Sequence, residues 1–471
     1  MTTIHRSTYW LLLVILFSTG CSKWLDVKPK TYVNESDLWK DEQGFKDALT
    51  GVYVAISDTT LYGKNFTMGM MDVLGGNYDV ANSFHVYNKA GSYQYTDATT
   101  KAIINEYWNK GYNAIANLNN LLANIDSRKS LFVNNNYNIV KGEALGLRAL
   151  LHFDLLRAFG GVPALGLDKK SIPYVTQFSM TVKPNLTMNE VLDACLKDLL
   201  TARDLLAVYQ QVNYGIEDLF LSHTRNHMNY WAVTGLMARI YLYKNDLENA
   251  YKMAKAVIDG GRFNFIDVSS VSTTYPNRLF SPEHLFAVYS ANQESINASL
   301  FKSSAGTNNV LTNKTTFINT LFEIASGGST DYRYLYLWKT EGSSSTKYPA
   351  KYWMDDLLNG NGNSIRRVPV LRYSEMFYIA AEATASLTEK TTLLNQVRQK
   401  RGLPLLANNL TAEQLDNEIF KEYRKEFYQE GQLFFYYKRK NSAQIAGSGI
   451  AGSPAVYVLP IPDDEIEFNH G

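Results

Sequence analysis

Residues 141–161, KGEALGLRALLHFDLLRAFGG, limit the possible folds more than any other stretch. Their apolar side chains recur at helical rather than strand spacing over several turns. Gly160 and Gly161 are expected to supply a left-handed C-cap, and Pro163 forbids continuation. Further stripes of the same period surround this run. From a predicted N-cap at Ser36, Leu38, Phe45, Leu49, Val52 and Ile56 share one helix face. Ile104, Trp108, Ile115, Leu118, Leu122 and Ile125 share another. VLDACLKDLLTARDLL is amphipathic as well, and Cys195 among Val191, Leu192, Leu196 and Leu199 reads as a small core residue.

Two segments read as helical hairpins. The first turns near Asn245-Asp246, with Ala238, Tyr241 and Ala250 at the spacings of tetratricopeptide-like repeats, where small residues let paired helices approach closely. The second joins SEMFYIAAEATASL to TTLLNQVRQKRGL. With 471 residues, 45% of them hydrophobic, the chain can bury a large core without disulfide or metal staples. The expected class is all-α.

Two stretches break the pattern. NYDVANSFHVYNKAGSYQYTD has no sustained helical period and reads as a long surface loop, a size of loop that is commonly functional. From about Arg262 to Arg367 the helical signal fades, and HLFAVYS and YRYLYLWK look like strands. Alternation in the latter would line Tyr332, Tyr334, Tyr336 and Trp338 along one face.

The N-terminus is an address. Arg6, an apolar run from Trp10 to Phe17, and Ser18-Thr19-Gly20-Cys21 form a lipoprotein signal peptide over residues 1–20, with Cys21 as the acylated residue. No later stretch has eighteen consecutive apolar residues, so the mature chain is expected to lie on a membrane and not to cross it.

Charge narrows the partners. The formal net charge is +1, and removal of the first twenty residues leaves 45 basic and 45 acidic side chains. That balance argues against nucleic acid, whose phosphates demand clustered Lys and Arg. No HExxH, GxSxG, Walker A or dinucleotide-binding glycine pattern occurs. His223 and His227 have ligand spacing but no third partner, so a capping or surface role is expected and no metal or other cofactor.

Several of these segments, in this order, resemble the SusD/RagB family of Bacteroidota. The Cys21 box leads into Trp24-Leu25-Asp26 and Pro29. Trp108, Tyr112, Ile115 and Asn117 follow, then GLRALLHFDLLRAFGGVP, ARIYLY, Asp331-x-Arg333, VPVLRYSEMFYIAAEA, LLNQVRQKRGLP, EYRKEFYQEGQ and LPIPDDEIEFN. The resemblance implies a SusD-like helical fold, with tetratricopeptide-like hairpins supporting a loop-rich ligand-binding region. It divides the chain into a signal peptide (1–20), an N-terminal helical region with an inserted loop (21–260) and a C-terminal region (261–471). It also implies a non-enzymatic outer-membrane lipoprotein facing the cell exterior. Such a protein captures oligosaccharides, or in the RagB branch peptides, and delivers them to a SusC-like TonB-dependent transporter. A surface hydrolase or a pure scaffold are the rival readings.

Tyr is unusually frequent, at 32 residues, and its ring suits sugar faces. The family's binding aromatics come from the loop ahead of the Trp108-type helix and from the irregular region before the C-terminal helices. Here those regions supply Tyr78, His85, Tyr87, Tyr93 and Tyr95, and then Tyr336 and Trp338 together with Tyr332 and Tyr334. Arg148, Glu382, Arg398 and Glu430 lie in family motifs but on amphipathic helices, and are expected to form inter-helix ion pairs or caps.

Overall fold

A computed structural model describes residues 38–212, 219–273, 276–343, 345–354 and 366–468. The signal peptide, Cys21, Trp24-Leu25-Asp26, Pro29 and the expected N-cap Ser36 lie outside them. Helix α1 (Glu42–Ile56) is capped by Asp41, whose carboxylate accepts from the Gly44 N–H, and it buries Phe45, Leu49, Val52 and Ile56 as the stripe predicts. A short α2 (Met70–Leu74) and α3 (Asn88–Gly91) precede the long α4 (Ala98–Ile125), which Asp97 caps. Next come α5 (Asn136–Phe159) and α6 (Met188–Leu206), the latter opened by a Thr187/Glu190 capping box.

The two expected hairpins are present. The first is α7 (Tyr230–Lys244) and α8 (Leu247–Asp259); Asn245 takes the left-handed turn at φ 63° and Asp246 caps α8. Ala238 and Ala250 are fully buried between the paired helices. Strand β1 (His284–Tyr289) follows, then α9 (Gln293–Phe301), α10 (Thr315–Leu321) and α11 (Tyr332–Tyr336). Strands β2 (Trp338–Thr340) and β3 (Lys347–Pro349) pair with each other, and β4 (Arg367–Arg372) pairs antiparallel with β1. The second hairpin is α12 (Tyr373–Ala383) and α13 (Leu387–Lys400). The chain closes with α14 (Ala412–Glu426), α15 (Gln432–Lys440), α16 (Pro454–Tyr457) and α17 (Asp463–Phe468).

Helices α4 to α8 pack each on the next, and α8 packs on α12, so the two hairpins share one core and no packing gap separates the halves near residue 260. HLFAVYS is a strand over His284–Tyr289 as expected, but of YRYLYLWK only Trp338 and Lys339 are extended, and Tyr332–Tyr336 is helical. Asp331 caps the Arg333 N–H and starts α11, and the Arg333 guanidinium is buried in ion pairs, so the segment is wound where alternation predicts an extended face.

The end of α5 also differs from expectation. Gly160 has φ −72° and ψ 169°, and neither it nor Gly161 is left-handed. The glycine is required by space: a Cβ at Gly160 would lie 2.7 Å from the Leu156 carbonyl oxygen. The free carbonyls of α5 are taken instead by Lys438, whose buried Nζ donates to Arg157 O at 2.7 Å and Gly160 O at 2.6 Å.

Four motifs that carry the family resemblance meet in one buried ionic cluster. Arg333 binds Asp331 (2.7 Å), Glu422 (2.8 Å) and Glu426 (2.8 Å). Arg401 bridges Glu283 (2.7 Å) and Glu426 (2.6 Å), and Arg372 binds Glu426 (2.6 Å) and Glu430 (2.9 Å). Lys351 completes the set on Glu430 at 2.6 Å. Charges buried this deeply are tolerable only when each is matched, and here every one has a partner. The expected helix-borne pairs exist elsewhere too: Arg148 with Asp198, Glu382 with Arg439 and Lys440, and Arg398 with Glu418 and Glu422.

Candidate functional site

The chain turns at Gly76, which has φ +74° and no room for a side chain, because a Cβ there would lie 2.5 Å from the Ala446 oxygen. The following loop, residues 76–97, runs alongside residues 308–313. Asp79 N–H donates to Thr312 O (2.8 Å), Val86 N–H to Asn308 O (3.0 Å), Asn82 Nδ2 to Asn308 Oδ1 (3.2 Å) and Asn313 Nδ2 to Asn77 O (3.0 Å). His85 pins the same seam. Its Nδ1 accepts from the Tyr87 N–H (3.1 Å), which leaves Nε2 protonated to face Val310 O at 3.2 Å. Burial, against the pull of Val310 O and Asp79, lowers its pKa and favours this neutral form.

Two clefts flank the seam. The larger, about 760 Å3, is lined among others by Lys64, Asn65, Val86, Tyr87, Ser299 and Asn309. The smaller, about 360 Å3, is lined by Asp79, Ser92, Asn313, Lys314, Phe317 and Ser448 among others. Hydroxyls and amides share both walls with apolar side chains, Val86, Ile103 and Leu300 in the larger cleft and Val80 and Phe317 in the smaller, a mixture that can orient a polyol.

The aromatic residues expected to stack on a ligand are placed differently. Tyr78, His85, Tyr87 and Tyr95 are buried and Tyr93 is half-buried. Their polar atoms are engaged as well: Tyr87 Oη donates to Asn65 Oδ1 (2.7 Å), Tyr93 Oη to Leu74 O (2.8 Å) and Tyr95 Oη to Val456 O (2.5 Å). Tyr78 lies edge-on to Tyr428 at 5.3 Å. These rings moor the loop to the scaffold, because a segment with so little secondary structure needs side-chain anchors to hold one shape. Tyr87 reaches the larger of these clefts and Tyr78 the smaller, while Tyr93 and Tyr95 line a third, wider one of about 1000 Å3 with Phe159 and Pro460.

The second aromatic set does not share one strand face. Trp338 is buried, 5.0 Å from the Tyr428 ring, so Tyr428 joins it to Tyr78 across the seam. Tyr332 and Tyr336 lie one helical turn apart with centroids 6.1 Å apart, and Tyr334 points elsewhere, under the Lys347 ammonium at 3.8 Å.

Phe84 is the ring that stands free. It is 78% exposed, two residues from the Asn82–Asn308 contact, and Asn82 Oδ1 holds its N–H at 3.0 Å. Its signal in the sequence is an apolar ring inside an Asn- and Ser-rich loop, where a core contact is the exception. Tyr428 has no such signal, since it lies in a helical motif. His223 is exposed in a left-handed conformation, and His227 donates its Nδ1 contact to Glu143 at 3.0 Å rather than capping a helix. Among the described residues no group of His, Cys, Asp or Glu is placed to hold a metal.

Known proteins share this architecture. Residues 23–242 match a family model described as starch-binding and associating with the outer membrane, and residues 327–452 match that of the SusD family. SusD-like protein P2 of Formosa agariphila is 22% identical over 99% of this chain and 97% of its own length. SusD-like protein P38 of the same organism is 23% identical over 93% of this chain and 91% of its own. A SusD superfamily structure from Bacteroides thetaiotaomicron superposes with a TM-score of 0.73 at 22% identity, covering 91% of this chain and 98% of that one. A SusD-like carbohydrate binding protein from Bacteroides vulgatus gives 0.72 at 19% identity, over 91% and 96% of the two chains.

Proposed function

Because the chain belongs to the SusD/RagB family, we propose that it is a non-enzymatic surface lipoprotein that captures glycans at the seam between residues 76–97 and 308–313. In this reading Cys21 carries the acyl chains that hold it to the outer membrane, and a SusC-like TonB-dependent transporter receives the cargo. The observation that carries it is the meeting of two sequence-distant segments flanked by clefts of mixed polar and apolar lining, with Phe84 exposed on the same loop. Sugar rings offer C–H faces to such a ring and hydroxyls to such walls. Capture rather than hydrolysis is supported by the family model over residues 23–242, which is described as starch-binding.

Calorimetry with oligosaccharides selected on a glycan and peptide array tests this. Phe84→Ala should weaken binding several-fold, and Ser299→Trp, which fills the larger cleft, should abolish it with the fold intact. Full affinity in both variants would move the site away from the seam, and capture of peptides alone would replace the ligand class. Cys21→Ala should release the protein from the membrane fraction; unchanged membrane retention in cells lacking the transporter would contradict acylation at Cys21.

A further inference from the structure

Between α5 and α6 the chain makes an excursion whose root and tip differ sharply. At the root, Ser171 N–H donates to Leu186 O (2.8 Å) and Leu186 N–H to Ile172 O (3.1 Å), pairing the two legs. Val175 is clamped on both sides: its N–H donates to His152 Nε2 (2.9 Å) and its carbonyl accepts from Asn119 Nδ2 (2.9 Å). The Tyr174 ring stacks on His152 at 3.9 Å, and its hydroxyl donates to Asp198 (2.6 Å), the partner of Arg148. Beyond this anchor, residues 176–182 are all exposed. Phe178 is 54%, Met180 103% and Val182 52% exposed, so three apolar side chains at every second position stand in water.

The charge on the excursion is basic: within residues 171–187 Lys183 is the one charged side chain, next to Val182 of the tip, while Lys169 and Lys170 lie at the root beside Asp168 and Glu190. A protein-docking patch is ordinarily a broad apolar area with a polar rim. Here the apolar atoms sit on a narrow projection, alternating with Ser179 and Thr181. That shape suits a medium that can be entered, with apolar groups reaching the acyl boundary while hydroxyls and ammonium groups stay among headgroups. A basic residue beside such a tip is attracted to anionic lipid.

We propose that residues 171–187 form a membrane-touching prong that rests the protein on an anionic lipid surface, with Phe178, Met180 and Val182 entering the interface and Lys183 facing headgroup charge. The proposal rests on the outer-membrane association of the family but is independent of the glycan site. The clamp at Val175 lets the tip enter lipid without disturbing the helices beneath it.

The test uses the full chain carrying Cys21→Ala, so that no acyl chain contributes, and vesicles of phosphatidylcholine with or without phosphatidylglycerol. Binding should be stronger on the anionic vesicles, should fall as salt is raised, and should drop about tenfold in the Phe178→Ser, Met180→Ser, Val182→Ser variant. A second readout is direct. Cys195 is fully buried, so Met180→Cys in this background provides the one accessible thiol, and an environment-sensitive fluorophore attached there should shift to the blue on anionic vesicles. Equal sedimentation of parent and triple variant, or an unshifted probe, would overturn the prong. So would a parent that ignores both vesicles but self-associates through the tip in light scattering. Calorimetry with glycan on the triple variant keeps the two readings apart: retained glycan affinity with lost vesicle binding is the expected result.

Discussion

Arg148 is a residue whose surroundings follow from its chemistry. A guanidinium in an apolar helix needs a buried partner, and Asp198 accepts from both Nε (2.7 Å) and Nη2 (2.8 Å) while Asn119 Oδ1 takes Nη1. Arg148→Ala strands that carboxylate and should cost about 3 kcal/mol in denaturant melts, with glycan affinity unchanged in the folded fraction. Tyr87 shows the opposite. Its type and its loop suggest a stacking platform, but whether a ring faces solvent is decided by what covers it. The cover includes Asn65, which the sequence does not mark. Tyr87→Ala should therefore lower stability by roughly 3 kcal/mol, as large-to-small core changes do, in contrast to Phe84→Ala, which should leave the melting temperature unmoved. Melting both variants side by side checks the distinction.

At the scale of elements, the long helices and both hairpins are legible because a 3.6-residue apolar period survives in the sequence whatever the tertiary context. Their ends are less so. Gly160-Gly161 followed by Pro163 reads as a left-handed cap, yet α5 is closed by Lys438, 278 residues after its Gly160 acceptor. A local signal cannot register so remote a donor. Burial, together with the nearby Arg157 charge, pushes the Lys438 pKa well down, so the carbonyls hold an amine with a much weakened preference for its charged form. Lys438→Met keeps the volume but leaves those carbonyls bare, and should cost about 2 kcal/mol, with hydrogen exchange accelerating first in the last turn of α5. The 332–338 segment misleads for a related reason: alternating Tyr residues mimic a strand, but the Arg333 ion pairs override that pattern.

For the whole molecule, the buried carboxylates set the response to acid. Burial alone would raise Glu422, but Arg333, Lys425 and Arg398 hold it down to about 2; Glu382, similarly buried, is held to about 2 by Arg439 and Lys440. Both lie below the ordinary value of 4.5, so their contribution is complete above about pH 4.5 and is lost as pH falls towards 2. Asp72 acts in the other direction. Burial raises it to about 6 despite contacts from Tyr78, Gln429, Asn77 and Gly431, so the folded state takes up this proton first and gains stability between pH 6 and 3.8. The buried imidazoles oppose that gain: burial holds His152 at about 3, and burial with the Arg367 charge holds His284 well below 6.5, so below pH 6.5 the unfolded chain takes up protons these rings refuse, and the melting temperature should fall progressively from about pH 6.5 and more steeply below 4.5. Glu422→Gln should lower stability at pH 7 and flatten the limb below pH 4.5; an acid limb of unchanged steepness in that variant would contradict this assignment.

The seam at the candidate site has a temporal consequence. Its contacts span 222 to 236 residues, from Val86 with Asn308 to Asn77 with Asn313, and Tyr428 reaches back 351 residues to Asn77. Contacts of such high order close large loops and form late in folding. Until residues 308–313 arrive the seam has a single wall, so a ligand at the proposed site can be held only by a molecule whose later half is already in place.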